Sequence, residues 1–499
     1  MGDIIQTLPL IKRLREEIPK VYITFLCVDR FAEILTATPM INRYIKITPQ
    51  EALKIKNMDA SSLYAVLEHP FLKEHYDLVI NLTHDLSSAI ISGRIKATER
   101  TGAVAEDSSS PYLKLKDKWG RYLFSCVNNR EENSFNLVDI HMGMGKVHPC
   151  PVSNYLGINS KNLERIERIF LKFGISKEKP VVALHIGANK LHRTWPVEHF
   201  AALSEFLIKH YNARIILTGS SAEEHLFNNF IYHVNPERLK HGQVINLIGK
   251  TRLQDLIALI GKCSLLVSND TGPIHIAASV GTPTVGIYTS TAYPGETAPY
   301  GEGHYVIHPL MSCYPCIDEH LGFDCGLPCR YSILPEKVFE VASGILENRP
   351  KNLKTGEDVM ILRSRFLSNG TLLYEPAISP RDFSDEVFQK WLRKIMLRMV
   401  WEGVLGLPSD PLLIYRIPEE DVKRWIIKAE AILDSALDSL QSNTFAETST
   451  LKSFSGLFLD FSKLSIYSDC SNEIPETIFL MKQRLKEISS WSKRAFRFA

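Results

Sequence analysis

Short apolar runs at 21–27, 77–82, 181–186, 213–218, 243–247, 264–267 and 284–288 alternate along the chain with amphipathic stretches at 196–210, 253–262 and 274–280. The runs are mostly β-branched or leucine-rich, which suits strands buried on both faces of a parallel sheet. Strand and helix in alternation predict doubly wound α/β halves. The rhythm breaks over 106–159, where Ser108-Ser109-Ser110-Pro111, Asn128-Asn129 and the turn from Pro149 to Pro151 predict loops and a crossing segment. It stops after Glu347, and 384–402, 419–440 and 475–491 carry helical periodicity between polar loops. The expectation is a Rossmann-like domain at 1–165, a second at 166–348 and a helical extension at 349–499.

Composition narrows the function classes. A chain of 499 residues, 45% hydrophobic and 23% charged, can bury two or three cores. Its formal net charge of +2 supplies no general field for nucleic acid, so any phosphate recognition must be local. No apolar run reaches the about 18 residues that a membrane-crossing helix needs. The first residues lack the basic-then-apolar pattern of an export signal. A cytoplasmic chain without a transmembrane segment is expected.

The densest chemistry lies at 264–279. An apolar run ends at Val267, the polar turn Ser268-Asn269-Asp270-Thr271-Gly272 follows, and Pro273 stands where the first residue of a helix tolerates a missing N–H. Free N–H groups at Thr271 to Ile274, with the positive end of the helix dipole and Gly272 allowing close approach, would cradle a pyrophosphate. Asp270 would accept hydrogen bonds from a sugar hydroxyl, and His275 would face the phosphates or the sugar a turn further on. On the residues alone a second reading is equally open, in which Asp270 and Thr271 cap the helix and His275 is a satisfied core histidine.

The string 268–279 resembles the donor-binding signature of glycosyltransferase family 9, the ADP-heptose:lipopolysaccharide heptosyltransferases, where Asp-Thr-Gly-Pro-x-His-x-Ala-Ala recurs. Residues 184–196, with Gly187-Ala188-Asn189 and a basic residue two before Trp195, and Thr218-Gly219-Ser220 leading to an acidic residue, continue it. In the family's order the resemblance runs over residues 2–345. It implies an α/β fold of GT-B architecture, two Rossmann-like domains facing a cleft, with a C-terminal α-helical region added. It also implies an inverting glycosyltransferase that uses an ADP-sugar. By the same resemblance the phosphate-binding lysine falls on Arg193, which keeps the charge and changes the geometry. Ala188 and Asn189 fall where the family often has hydroxyl residues near the diphosphate. Glu223 falls on the carboxylate that meets the ribose, with Glu224 as the alternative, and Thr251 falls near the adenine pocket. Asp270, Thr271, Gly272, Pro273 and His275 complete the donor set.

At the other end, Gly2-Asp3 before a helix bearing Thr7-x-Pro9 resembles the family's first strand-to-helix turn, whose Asp is the proposed base. Asp3 is the catalytic candidate beside Arg193. In the family a strand of about ten residues precedes this turn, so an apolar segment upstream of Met1 is expected. Nine cysteines without an export signal argue against a disulfide framework. Four of them, Cys313, Cys316, Cys325 and Cys329, are spaced for a structural zinc or iron site, and related autotransporter heptosyltransferases hold iron on four cysteines. No cofactor is expected for the chemistry itself. The acceptor expected is a lipopolysaccharide-core glycan, another lipid-linked saccharide or a protein, reached at the inner face of the inner membrane. The helical tail is expected to mediate self-association. A non-catalytic sugar-nucleotide-binding scaffold and another GT-B nucleotide-sugar enzyme, such as an epimerase, are the alternatives.

Overall fold

A computed structural model describes residues 1–51, 70, 73–105, 114–115, 117–126, 130–176, 178–316, 325–349, 353, 358–377, 384–408, 410, 413, 417–441 and 478–488. The chain folds as two compact units. The first takes Met1–Ile45, Pro151–Phe366 and Leu372–Asp382; the second takes Lys46–Cys150, Leu367–Thr371 and Phe383–Ala499. Strands are numbered in chain order: β1 (Thr24–Val28), β2 (Arg43–Ile47), β3 (His75–Asn81), β4 (Lys96–Val104), β5 (Lys114–Leu115), β6 (Val181–His185), β7 (Arg214–Thr218), β8 (Val244–Asn246), β9 (Leu265–Asn269), β10 (Thr284–Ile287), β11 (Tyr305–Pro309), β12 (Val359–Phe366) and β13 (Leu372–Pro376).

The first unit is built on one sheet of eight strands in the order β13-β12-β11-β10-β9-β6-β7-β8. The six from β11 to β8 run parallel, which is why their sequences read as unbroken apolar runs with helices covering both faces. The helix Val197–Tyr211 shows how such a cover forms. Phe200, Ala201, Leu203, Leu207 and Ile208 recur on one face and are buried, and Asn212 ends the helix in the left-handed conformation at φ 50°. Fully buried Trp195, Phe200 and Phe230 fill the layer beneath. Each such side chain contributes about 1.5–3 kcal/mol by leaving water.

Two sequence expectations are corrected. The stretch after Glu347 does not turn helical at once: β12 and β13 form an antiparallel hairpin that extends the sheet beyond β11. Val359-Met360-Ile361-Leu362 is the missed apolar run, and Asn369-Gly370, with Gly370 at φ +81°, is the missed turn signal. Likewise 106–159 is more than loops. The helices Lys118–Cys126 and Leu137–Met144 lie within it, the second capped by Asn136, whose side chain accepts from the Val138 N–H at 3.0 Å.

The second unit contains the sheet β3-β4-β5, with β3 parallel to β4 and β5 antiparallel to it. It also contains the helix Asp385–Leu405, which is no loose appendage. Arg398, 1% exposed, donates to Ser134 O and Thr371 Oγ1, pairs with Glu402 at 3.2 Å and lies 4.6 Å from the Phe135 ring centre.

Buried histidines give the fold a pH dependence. His304, where β11 begins, touches the Thr284 hydroxyl at 3.0 Å, and burial pushes its pKa from 6.5 down to about 4. The folded protein therefore takes this proton less readily than the unfolded chain. The stability His304 contributes is complete above pH 6.5 and is lost as pH falls from there toward 4, a loss of about 3 kcal/mol from this group. Urea unfolding at pH 7 and pH 4.5 should show a smaller acid penalty in His304→Gln than in the parent; equal penalties would show that His304 does not carry it.

Candidate functional site

From β6 the sheet grows through β7 and β8 on one side, and from β9 through β10 and β11 on the other. At such a reversal the helices leave on opposite faces, and a crevice opens at the carboxyl ends of the two central strands. The candidate residues fall on the loops leaving these ends. Ala188, Asn189 and Arg193 follow β6; Glu223 follows β7; Thr251 follows β8; Asp270, Thr271, Gly272, Pro273 and His275 follow β9.

Asn269, which the sequence reading passed over, stitches the two central loops together. Its side-chain oxygen accepts the Trp195 N–H at 2.8 Å, and its nitrogen donates to Gly187 O at 3.1 Å and Ile186 O at 3.3 Å. That places Arg193 against Asp270, and the two form an ion pair in which the carboxylate is buried and the guanidinium partly exposed. Thr297 reaches the same carboxylate with its hydroxyl at 3.4 Å. Tyr288 stands beside it: burial first, then the Asp270 charge, holds the phenol proton well above the ordinary tyrosine range. Asp270 is thus the centre of a polar cluster drawn from β6, β9 and β10 loops.

The capping alternative is not realised by Thr271. It stands at the N-cap of the helix Gly272–Val280 without a side-chain capping bond, its hydroxyl turned to Ser268 Oγ at 3.1 Å and Asn269 O at 3.3 Å. The first-turn N–H groups of a helix have no intrahelical partner, so this end remains suited to an anion. His275 is buried in that first turn. Burial lowers its pKa, while the Asp270 and Asp3 carboxylates act in the opposite direction. Asp3 is exposed, in the first turn of the helix Gly2–Glu17. That turn lies close to His275: a Cβ on Gly2 would stand 3.0 Å from His275 Cδ2.

Glu223 accepts from the Ser220 N–H at 2.6 Å and the Ser220 hydroxyl at 2.8 Å, a capping box for the turn after β7. Its other oxygen lies over Gly187, where a Cβ would come within 1.8 Å of it, so a larger residue in the β6 turn would push the Glu223 carboxylate aside. The loop bearing Thr251 is tied to the same place by the Gly249 N–H, which donates to Gly219 O at 2.9 Å. Ala188 is half-buried and Asn189 exposed at the rim.

The cysteine loop departs from expectation. Cys313 and Cys325 are exposed, Cys316 is half-buried and Cys329 buried. Burial raises the Cys316 and Cys329 thiols; contact with Ser290 works against it and the neighbouring thiols add to it. The sulfurs are therefore in electrostatic reach of one another. Yet among the described residues no group of three or more His, Cys, Asp or Glu side chains could hold a metal ion, so the tetrahedral site expected from the spacing does not form in this arrangement. Nor is any helix among the described residues long and apolar enough to cross a membrane.

The chain is similar to known proteins. The sequence model of glycosyltransferase family 9 (heptosyltransferase) matches residues 66–325. Lipooligosaccharide heptosyltransferase 2 of Haemophilus influenzae is 26% identical over 317 residues, covering 62% of this chain and 85% of the relative. The lipopolysaccharide core heptosyltransferase OpsX of the same organism is 25% identical over 305 residues, covering 60% and 79%. Among solved structures, the glycosyl transferase family 9 protein of Veillonella parvula superposes with a TM-score of 0.54 at 20% identity, covering 70% of this chain and 95% of that one.

Proposed function

The chain belongs to glycosyltransferase family 9, the heptosyltransferases, and from that premise we propose that it is an inverting enzyme moving heptose, or a related sugar, from an ADP-activated donor to a hydroxyl of a lipopolysaccharide-core or other cell-surface glycan. The observation that carries this reading is the Arg193–Asp270 pair at the reversal point of the sheet, beside the N-terminus of the helix Gly272–Val280, which has no side-chain cap. A cation, a helix N-terminus and a carboxylate within one crevice match the three needs of a sugar nucleotide. Arg193 and the helix N–H groups take the diphosphate, and Asp270 takes sugar hydroxyls. Two of the similar proteins are named for heptose transfer to lipooligosaccharide or lipopolysaccharide core, which supports the acceptor class.

The proposed reaction is a single displacement. Asp3 removes the proton of the acceptor hydroxyl as its oxygen bonds to the anomeric carbon. The bond from that carbon to the diphosphate oxygen breaks on the opposite face, and the negative charge leaves with the nucleotide. Arg193 and the helix dipole stabilise that charge as it develops. His275, held neutral by burial, offers a hydrogen bond without adding charge. Glu223 and Thr251 serve the ribose and adenine ends of the donor. As arranged, the four cysteines do not fit a metal ion, and no step is routed through one. A cytoplasmic site of action, at the inner face of the inner membrane, goes with an ADP-sugar donor and a lipid-linked acceptor.

The donor assignment has a direct test. A ligand that binds only the native state at 100 times its dissociation constant adds about 2.7 kcal/mol of apparent stability. ADP-heptose should raise the melting midpoint of the purified protein more than any UDP-sugar at the same concentration. A UDP-sugar shift of equal or greater size would remove the ADP assignment.

A further inference from the structure

The segment that follows the cysteine loop has no place in the reaction above, yet it grips the turn that carries Arg193. Arg330 comes one residue after Cys329, in the short helix Pro328–Tyr331. Its Nε donates to Thr194 O at 2.6 Å and a terminal nitrogen donates to Thr194 Oγ1 at 3.0 Å. The Thr194 hydroxyl in turn donates to Leu191 O at 2.6 Å, closing the turn on itself. The grip continues past Arg330. Tyr331 meets the His199 ring edge-on, and the buried Trp195 indole donates to Ile333 O at 2.8 Å. On the other side of Arg193, the Thr289 hydroxyl donates to His192 O at 3.2 Å. The backbone is therefore held immediately before Arg193 from the β10 loop and immediately after it from Arg330.

We infer that Arg330 is a positioning residue for donor binding, which holds the Arg193 turn so that its guanidinium is delivered to Asp270 and to the donor diphosphate. This rests on the reading of Arg193 as the diphosphate-binding cation. A flexible arginine on a free loop would lose side-chain and backbone freedom on each binding event, and a turn already fixed at both ends avoids that loss. The role asks for arginine in particular. One planar guanidinium reaches a carbonyl and a hydroxyl at once, whereas a lysine ammonium on a flexible stem lacks that fork.

The test is a double-mutant cycle read by calorimetric titration with ADP and by donor kinetics. Arg330→Ala should weaken ADP binding by about ten- to a hundredfold, the size expected for lost charge-assisted hydrogen bonds. It should raise the donor KM and leave the acceptor KM unchanged. In an Arg193→Ala background the same substitution should have little further effect, because the group being positioned is gone. Arg330→Lys should recover only part of the loss. The inference falls if Arg330→Ala costs the same factor with and without Arg193, which marks a role in packing alone, or if donor binding is unaffected. Should Arg330→Ala fail to fold, Arg330→Lys and Thr194→Val, each compared with and without Arg193→Ala, give the same decision. If Arg193→Ala itself leaves ADP binding intact, the donor reading of Arg193 falls and takes the inference with it. If Arg193→Ala weakens binding and no Arg330 or Thr194 variant does, only the inference is lost.

Discussion

Replacing Asp3 with asparagine should lower the turnover of sugar transfer by about 10²–10⁴-fold, the range of a lost general base, while ADP-heptose still stabilises the protein. The substitution keeps the shape of the side chain and removes its ability to take a proton. Asp3 is exposed in the first turn of the helix Gly2–Glu17, so no buried partner is orphaned by the change. The folded state should lose at most the about 0.3–1 kcal/mol that an acid gains near a helix N-terminus. Its surroundings argue against the neighbouring histidine as a substitute. His275 is buried, and that burial lowers its pKa. An imidazole with a lowered pKa is a weaker base, and this one lies inside the helix packing rather than at an exposed edge. The measurements are single-turnover transfer rates with saturating donor and the donor-induced melting shift, taken on the same preparations. An Asp3→Asn enzyme with parental turnover would place the base elsewhere. Loss of both turnover and donor-induced shift would mean that Asp3 acts on donor binding.

Glu402→Ala should destabilise the protein by about 3–5 kcal/mol, the cost of leaving a buried charge without its partner. Glu402 and Arg398 are both shut off from solvent, one helical turn apart in the helix Asp385–Leu405. Half-buried Lys394 adds a second cation in the preceding turn: desolvation, and then Arg398, pushes its pKa down to about 8. Asn369 donates to the same Glu402 carboxylate at 3.0 Å, so truncation orphans more than one donor. Removing both charges by Arg398→Met with Glu402→Leu should recover much of the loss, since a dry apolar replacement of similar volume avoids the desolvation penalty. Urea unfolding of the full chain decides between these outcomes. A cost below about 1 kcal/mol for Glu402→Ala would put the pair in the class of solvent-screened surface bridges and contradict its burial.

These two sites mark different depths of legibility. Asp3 and Asp270 could be singled out because the strings around them resemble those of glycosyltransferase family 9; on the residues alone Asp270 read equally well as a helix cap, and Gly2-Asp3, expected just before a helix, lie in its first turn. Glu402 and Arg398 could not. Their spacing reads as one more exposed ion pair on a helix, and nothing near 398 in the chain announces that Ser134 and Thr371 would close around it.

While the hairpin β12–β13 and the helices Lys118–Cys126 and Leu137–Met144 escaped it, the sequence by itself determined most of the alternation of strand and helix from 181 to 288, and it marked the Gly-Pro turn at 272–273 that opens a helix. Those properties arise from steric limits and hydrophobic periodicity acting over a handful of residues. It did not determine neighbours. That β6 lies beside β9, creating the crevice, depends on the packing of the whole sheet. So does the gathering of Met1–Ile45 with Pro151–Phe366 in one unit. Thr297 reaches Asp270 across 27 positions, Arg330 reaches Thr194 across 136, and Arg398 reaches Ser134 across 264. Contacts of that span leave no periodic trace, because the residue type needed at each end is set by the partner it meets and not by the residues beside it in the chain. The ends of β6, β7 and β9 were therefore visible in the sequence, and the side chains that converge on them became visible only in the folded chain.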